Sequence, residues 1–197
     1  MTDVTLTGTE EHSRAGIESA LARNRAFAAA GGQEAASLFP RLGLLVVTCL
    51  DPRVDPAHVF GLELGDALVI RNNGGRITPQ VINDLAYVGQ LAEAARPDGD
   101  LFEVAVIQHT ECGAVRLADD AFRHRYAERI GADESRLRDY AILDPEATVA
   151  HDVELLRSTD SISSRVSFSG HVYDIATGLV RTIAPAQSQA EFGRSSR

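Results

Sequence analysis

Three short apolar runs punctuate the chain: Leu44-Leu45-Val46-Val47-Thr48, Ala67-Leu68-Val69-Ile70-Arg71 and Phe102-Glu103-Val104-Ala105-Val106-Ile107-Gln108. Their length and continuity predict strands, the first and third of them buried. Between them the period changes to that of a helix. Asp55-Pro56 offers an N-cap and a first-turn proline for a short helix through Val59, Phe60 and Leu64, stopped by Gly65. Thr78-Pro79 opens another, with Val81, Ile82, Leu85, Ala86, Val88, Gly89 and Ala92 on its apolar stripe and a break at Pro97-Asp98-Gly99. Ahead of the first strand, Ile17, Ala20, Leu21, Phe27 and Ala28 recur at helical spacing, with Thr9 as a possible N-cap and Gly31-Gly32 as a stop. This predicts a helix over about 10–30, whose stripe can pack on its own domain or on another subunit.

Strands alternating with helices at this spacing indicate βαβ units. The predicted fold class is therefore α/β, a single domain over 1–197 with a central, mostly parallel β-sheet flanked by helices. Further on, Asp119 to Ile130 and about Glu146 to Arg157 read as charged, solvated helices. Arg165 to Phe168 and Gly170 to Ala176 look extended, with Thr177-Gly178 as a hairpin-like return to Leu179–Ile183. Gln187 to Arg197 reads as a loose polar tail.

Composition narrows the possibilities. A chain of 197 residues with 44% hydrophobic content can bury the core of one domain. A net charge of −9 without a long Lys/Arg run disfavours nucleic-acid binding and points to small-molecule partners. Met1 to His12 lacks the charged-then-apolar pattern of a secretory signal, and no stretch reaches the ~18 apolar residues of a membrane span, so a cytoplasmic protein without membrane contact is expected.

Both cysteines fall next to polar partners at the ends of two predicted strands. Cys49-Leu50-Asp51-Pro52-Arg53 follows the first, and His109-Thr110-Glu111-Cys112-Gly113 follows the third. Cys49, His109 and Cys112 supply two thiolates and an imidazole, a zinc ligand set, and Asp51 can supply a fourth ligand or step aside for water. A three-ligand set with a displaceable carboxylate suits catalytic rather than structural zinc. The competing possibility, two buried cysteines acting as small hydrophobes beside a strand-capping histidine, does not explain why both halves sit at the carboxyl ends of parallel strands, where α/β sheets form their sites. Arg53 offers a bidentate partner that can hold Asp51 off the metal. Zinc then lowers the pKa of its water toward ~7, and Asp51 would accept a hydrogen bond from the resulting hydroxide and aim it.

Arg71-Asn72-Asn73-Gly74-Gly75-Arg76 is a glycine-rich turn without the G-x-G-x-x-G or G-x-x-x-x-G-K of a nucleotide site. Gly74 and Gly75 are read as letting backbone pass close to the metal cleft, as substrate-pocket residues, and Gly113 as doing the same beside Cys112. His12, His58, His124, His151 and His171 lack ligand-like spacing, and none is singled out as a proton shuttle.

Cys-x-Asp-x-Arg, Arg71-Asn72-Asn73-Gly74-Gly75 and His-x-x-Cys-Gly, each after a strand, together resemble the β-class carbonic anhydrase family over roughly Leu44 to Val115. Gly170-His171-Val172-Tyr173-Asp174-Ile175-Ala176-Thr177-Gly178 also resembles the compact bacterial subgroup that includes carbonyl sulfide and carbon disulfide hydrolases. The resemblance implies zinc on Cys49, His109 and Cys112, an Asp51–Arg53 catalytic dyad, reversible hydration of carbon dioxide to bicarbonate, and a homodimer or tetramer. The same site serves a carbonyl sulfide or carbon disulfide hydrolase, the choice resting on the lining of the cleft. A non-catalytic zinc-binding regulatory protein on this fold would have no need of the dyad. Some members use a Gln before the first strand to bind substrate. Leu38-Phe39-Pro40 stands there, which implies a more apolar pocket.

Overall fold

In the computed structural model, which describes residues 16–33 and 38–195, five strands form one sheet. β1 (Leu44–Cys49), β2 (Ala67–Asn72), β3 (Glu103–His109), β4 (Ser167–Tyr173) and β5 (Val180–Ser188) lie in the order β2-β1-β3-β4-β5. The first four are parallel and β5 runs antiparallel to β4. The mostly parallel α/β sheet expected from the apolar runs is what forms. One face is packed by α3 (Pro79–Ala95) and α6 (Pro145–Arg157): Leu45, Val47, Val104, Val106 and Phe168 meet Leu85, Val149, Val153 and Leu156, all at 1% exposure or less. Each such side chain contributes about 1.5–3 kcal/mol by leaving water. Val46, Ala105 and Ile107 form a smaller cluster on the other face.

The topology sets the position of the site. From β1 the chain moves outward to β2, then crosses back to β3 on β1's other side. The loops leaving the carboxyl ends of β1 and β3 therefore diverge, which opens a crevice at the switch point of the sheet. Thr48 Oγ1 donates to the Ile107 carbonyl at 2.8 Å and holds those two ends together.

Several expectations need correction. The helix begun by Asp55 is only Pro56–Val59, α2, because Phe60 and Leu64 point outward, 42% and 54% exposed, and the chain turns at Gly61 with φ +62°. Gln187 to Ser195 is not a tail without structure. It completes β5 and forms α7 (Gln189–Ser195), where Ser188 and Glu191 cap each other: the Ser188 N–H and hydroxyl donate to the Glu191 carboxylate at 2.9 and 3.0 Å. α4 (Asp120–Ile130) is followed by an unforeseen short helix, α5 (Glu134–Asp139), capped by Asp133. The helices read as solvated carry buried charge: Arg123 in α4 and Asp152 in α6 are 5% and 1% exposed. The first helix is α1 (Gly16–Ala29), none of whose residues is buried. Its Thr9 cap, its start near residue 10, His12 and the last two residues, Ser196 and Arg197, lie outside the described residues.

Candidate metal centre

β1 ends at Cys49 because Asp51 and Pro52 start a tight 3-10 turn, Pro52–Val54, with Asp51 Oδ1 accepting the Arg53 N–H at 2.9 Å. β3 ends at His109, and Glu111 then takes a left-handed backbone conformation, φ +58°, that turns the chain into a second 3-10 segment, Gly113–Ala118. The two turns face each other. Cys49 Sγ and Cys112 Sγ lie 3.8 Å apart, and with a His109 ring nitrogen they form a group whose ligand atoms are all within 4.8 Å of one another. All three residues are buried: Cys49, Cys112 and His109 are 5%, 4% and 1% exposed.

His109 Nδ1 lies 2.8 Å from the Thr110 carbonyl, which can only accept, so Nδ1 carries the proton and Nε2 the lone pair. That Nε2 is buried with no partner among the described residues. A buried acceptor without a donor, facing two thiols, is what a metal ion satisfies. The thiols are primed unequally: a hydrogen bond from Cys112, and more weakly the N–H groups of Asp51 and Gly74, favour the thiolate on Cys49 against the opposing effect of burial. That charge, together with burial, pushes the Cys112 thiol up. A divalent cation would remove the repulsion and take both as thiolates.

Asp51 stands outside the three-ligand group, its carboxylate held by Arg53. Nε reaches Oδ1 at 3.0 Å and Nη2 reaches Oδ2 at 2.7 Å. This guanidinium holds the Asp51 carboxyl below the usual carboxylate range, against the opposing effect of burial. Gly74 and Gly75, φ +79° and +63°, are buried. A Cβ on Gly75 would stand 2.9 Å from the Thr48 carbonyl carbon and 3.0 Å from Cys49 N, so the close approach is real there. At Gly113 it is not: a Cβ would meet nothing within 4 Å, which corrects that reading within one chain. Leu38, Phe39 and Pro40 line an apolar cavity of about 320 Å³ with Tyr87, Leu91 and Phe102 near the amino ends of β1 and β3, away from the metal cleft.

Sequence reasoning missed the braces. Arg71 Nε donates to the Cys49 carbonyl at 2.9 Å and Nη2 to the Asp51 carbonyl at 2.7 Å, while Nη1 pairs with Asp55 at 2.9 Å. Asn72 accepts from the Arg76 N–H and donates to its carbonyl, which closes the glycine turn. Glu111 touches Arg53 twice. Arg71 and Asn72 lie in the turn motif, but their targets are backbone carbonyls, which leave no mark in a sequence. His58, His124 and His151 are exposed, and His171 is half-buried.

The carbonic anhydrase family profile matches residues 44–180. The chain belongs to that family. Among its β-carbonic anhydrase relatives, β-carbonic anhydrase 1 of Mycobacterium tuberculosis is 27% identical over 146 residues, 74% of this chain and 85% of its own length. A carbon disulfide hydrolase of Acidianus is 25% identical over 161 residues, 70% of this chain and 76% of its own. The crystal structure of carbonic anhydrase from Streptococcus mutans superposes with a TM-score of 0.71 at 30% identity, covering 85% of this chain and 96% of that one. No helix among the described residues is long and apolar enough to cross a membrane.

Proposed function

We propose that the protein is a zinc-dependent carbonic anhydrase, a carbonate dehydratase interconverting carbon dioxide and bicarbonate. The observation that carries this reading is the juxtaposition of a buried Cys-His-Cys donor set, with Nε2 of His109 unpartnered, and an Asp51 carboxylate already gripped by Arg53. Two thiolates and one imidazole match zinc in charge and softness. Zinc on Cys49, His109 and Cys112 supplies a Lewis acid that brings the pKa of a water toward ~7.

The rest of the chemistry belongs to the chain. Asp51, ionised and fixed by Arg53, keeps lone pairs free to accept a hydrogen bond from the attacking O–H, which aims that oxygen at the carbon of the substrate. Arg53 keeps the carboxylate from becoming a ligand, so a position stays open. Thr110 holds the tautomer of His109 in place, and the N–H groups of Asp51 and Gly74 temper the charge on Cys49. Gly74 and Gly75 leave backbone rather than side chain beside the substrate.

A second reading, hydrolysis of carbon disulfide or carbonyl sulfide, is favoured by the similarity to carbon disulfide hydrolases. The same residues attack any linear heterocumulene. The deciding experiment uses one zinc-loaded sample, with stopped-flow hydration of carbon dioxide measured beside hydrogen sulfide release from carbonyl sulfide and carbon disulfide. Dominant hydration is expected, and dominant sulfide release would favour the second reading. Stoichiometric zinc without either activity would leave a non-catalytic zinc-binding protein. A homodimer or tetramer belongs to the proposal as well. Two β-carbonic anhydrases of this fold from Sordaria macrospora are described as tetrameric, and light scattering measures the state here.

A further inference from the structure

Among the described residues, Glu111 is the one residue other than glycine with a positive φ, at +58°. A left-handed backbone is unfavourable for a residue with a Cβ, and glycine would adopt it freely. The position lies between two of the metal donors, His109 and Cys112. Residues held in sparsely populated backbone regions concentrate where the strain has a use. Here the use is visible in what the residue touches. The turn brings the Glu111 carbonyl to 3.3 Å from Arg53 Nη2, and its carboxylate reaches Arg53 Nη1, also at 3.3 Å. Arg53 spends Nε and Nη2 on the two oxygens of Asp51. Its guanidinium is thus held on one edge by Asp51 and on the other by Glu111.

We propose that Glu111 is a positioning residue. By fixing Arg53 from the far side, it keeps Asp51 away from the metal and couples the loop that carries His109 and Cys112 to the dyad on the loop after β1. A glycine at 111 would relieve the backbone but lose the carboxylate, which accounts for glutamate at a strained position. Neither contact is short and the carboxylate is exposed, so the coupling is modest and measurable rather than decisive.

The kinetic part of the test rests on the carbonic anhydrase reading, and the spectroscopic part does not. Full-length protein is prepared as wild type, Glu111→Gly, Glu111→Ala, Glu111→Gln and Arg53→Ala, loaded with zinc for kinetics and with cobalt(II) for visible spectra. Glu111→Gly and Glu111→Ala should lower kcat about three- to five-fold with KM and metal content unchanged. Glu111→Gln, which keeps an acceptor for Nη1, should recover most of that loss. Glu111→Gly should melt no lower than wild type, so its lost turnover cannot be a folding defect. The cobalt bands of Glu111→Ala should move toward those of Arg53→Ala, which is expected to retain metal while losing the grip on Asp51. If the wild type proves inactive toward all three substrates, the proposed function fails, while the cobalt comparison still decides the role of Glu111. Wild-type kcat and wild-type cobalt bands in Glu111→Gly and Glu111→Ala would overturn the proposal. So would equal losses in the glycine and glutamine variants, because only the glutamine keeps the contact.

Discussion

Arg76 and Asp152 meet at 2.8 Å in the interior, their side chains 7% and 1% exposed. Asp152 also accepts from Gln108 Nε2 at 3.1 Å and from the Ile77 N–H at 3.3 Å, while Arg76 Nη1 donates to the Asp139 carbonyl at 2.8 Å. The pair ties the exit of the glycine turn to α6. Removing one member of a buried pair strands the other, so we predict that Asp152→Asn costs about 3 kcal/mol or more in urea unfolding. The double substitution Arg76→Met/Asp152→Leu should recover much of the loss, because it leaves no orphan charge. A single variant within about 1 kcal/mol of wild type would contradict this account.

Arg53→Ala should keep zinc, measured by elemental analysis, while kcat falls by about 100-fold as Asp51 loses its fixed orientation. Asp51→Ala should lose turnover as well, although no carboxylate then competes for the metal. Arg53 holds the Asp51 carboxyl below its ordinary value, so the pair is intact above pH ~4 and breaks only as pH falls through the lowered folded value. An acid limb near neutrality in the wild-type rate profile therefore cannot come from Asp51. Near-wild-type turnover in both variants would remove the dyad from the mechanism.

Two glycines beside the site should behave oppositely. Gly75→Ala forces a Cβ against the backbone of Thr48 and Cys49 at a left-handed φ, and is expected to cost about 2–4 kcal/mol and to weaken zinc retention. Gly113→Ala meets open space and should stay within about 0.5 kcal/mol of wild type. Thermal melts of the zinc-loaded pair make the comparison, and similar losses in both would refute it.

His171, on β4, bonds to Ser169 Oγ at 2.9 Å and to Thr182 Oγ1 at 3.1 Å. Burial lowers its pKa, with Glu103 opposing. The folded state thus prefers the neutral ring: the stability this preference gives is full above the unfolded value of ~6.5 and is lost as pH falls through the lowered folded value. Between pH 7.5 and 5.5 the urea midpoint should fall further in wild type than in His171→Gln. Parallel shifts in the two proteins would exclude His171 as a source.

The parts of the fold legible in the sequence are those fixed by local chemistry. β1 and β3 are continuous apolar runs because they are buried, whereas β2, at the sheet edge, is only half-buried and leaves Val69 exposed; Asp55 and Thr78 cap helices where an acceptor precedes Pro. Cys49, His109 and Cys112 could be read because few residue types bind metal and strand ends gather them at one edge. What stayed hidden depends on partners far along the chain. Asp152 looks like any acidic residue of a solvated helix, since its partner Arg76 lies 76 positions away. Phe60 and Leu64 look like a helical stripe, yet no core waits on that side. The cap formed by Ser188 and Glu191 is local, but it lies in a polar stretch where nothing apolar marks a helix.

Cys49 and Cys112 stand 63 positions apart and become neighbours only when β1 and β3 have paired. A zinc finger gathers its donors within one short segment and is unfolded without its ion. Here Cys49 and His109 end strands, and Cys112 follows β3, of a sheet whose core is apolar, so folding is expected to need no ion. Chelator-treated protein should accordingly keep its far-ultraviolet circular dichroism. On the proposed function the order of assembly is inverted relative to a finger: the polypeptide would first finish a receptor, and metal supply would then set what fraction of finished molecules is competent, without new synthesis.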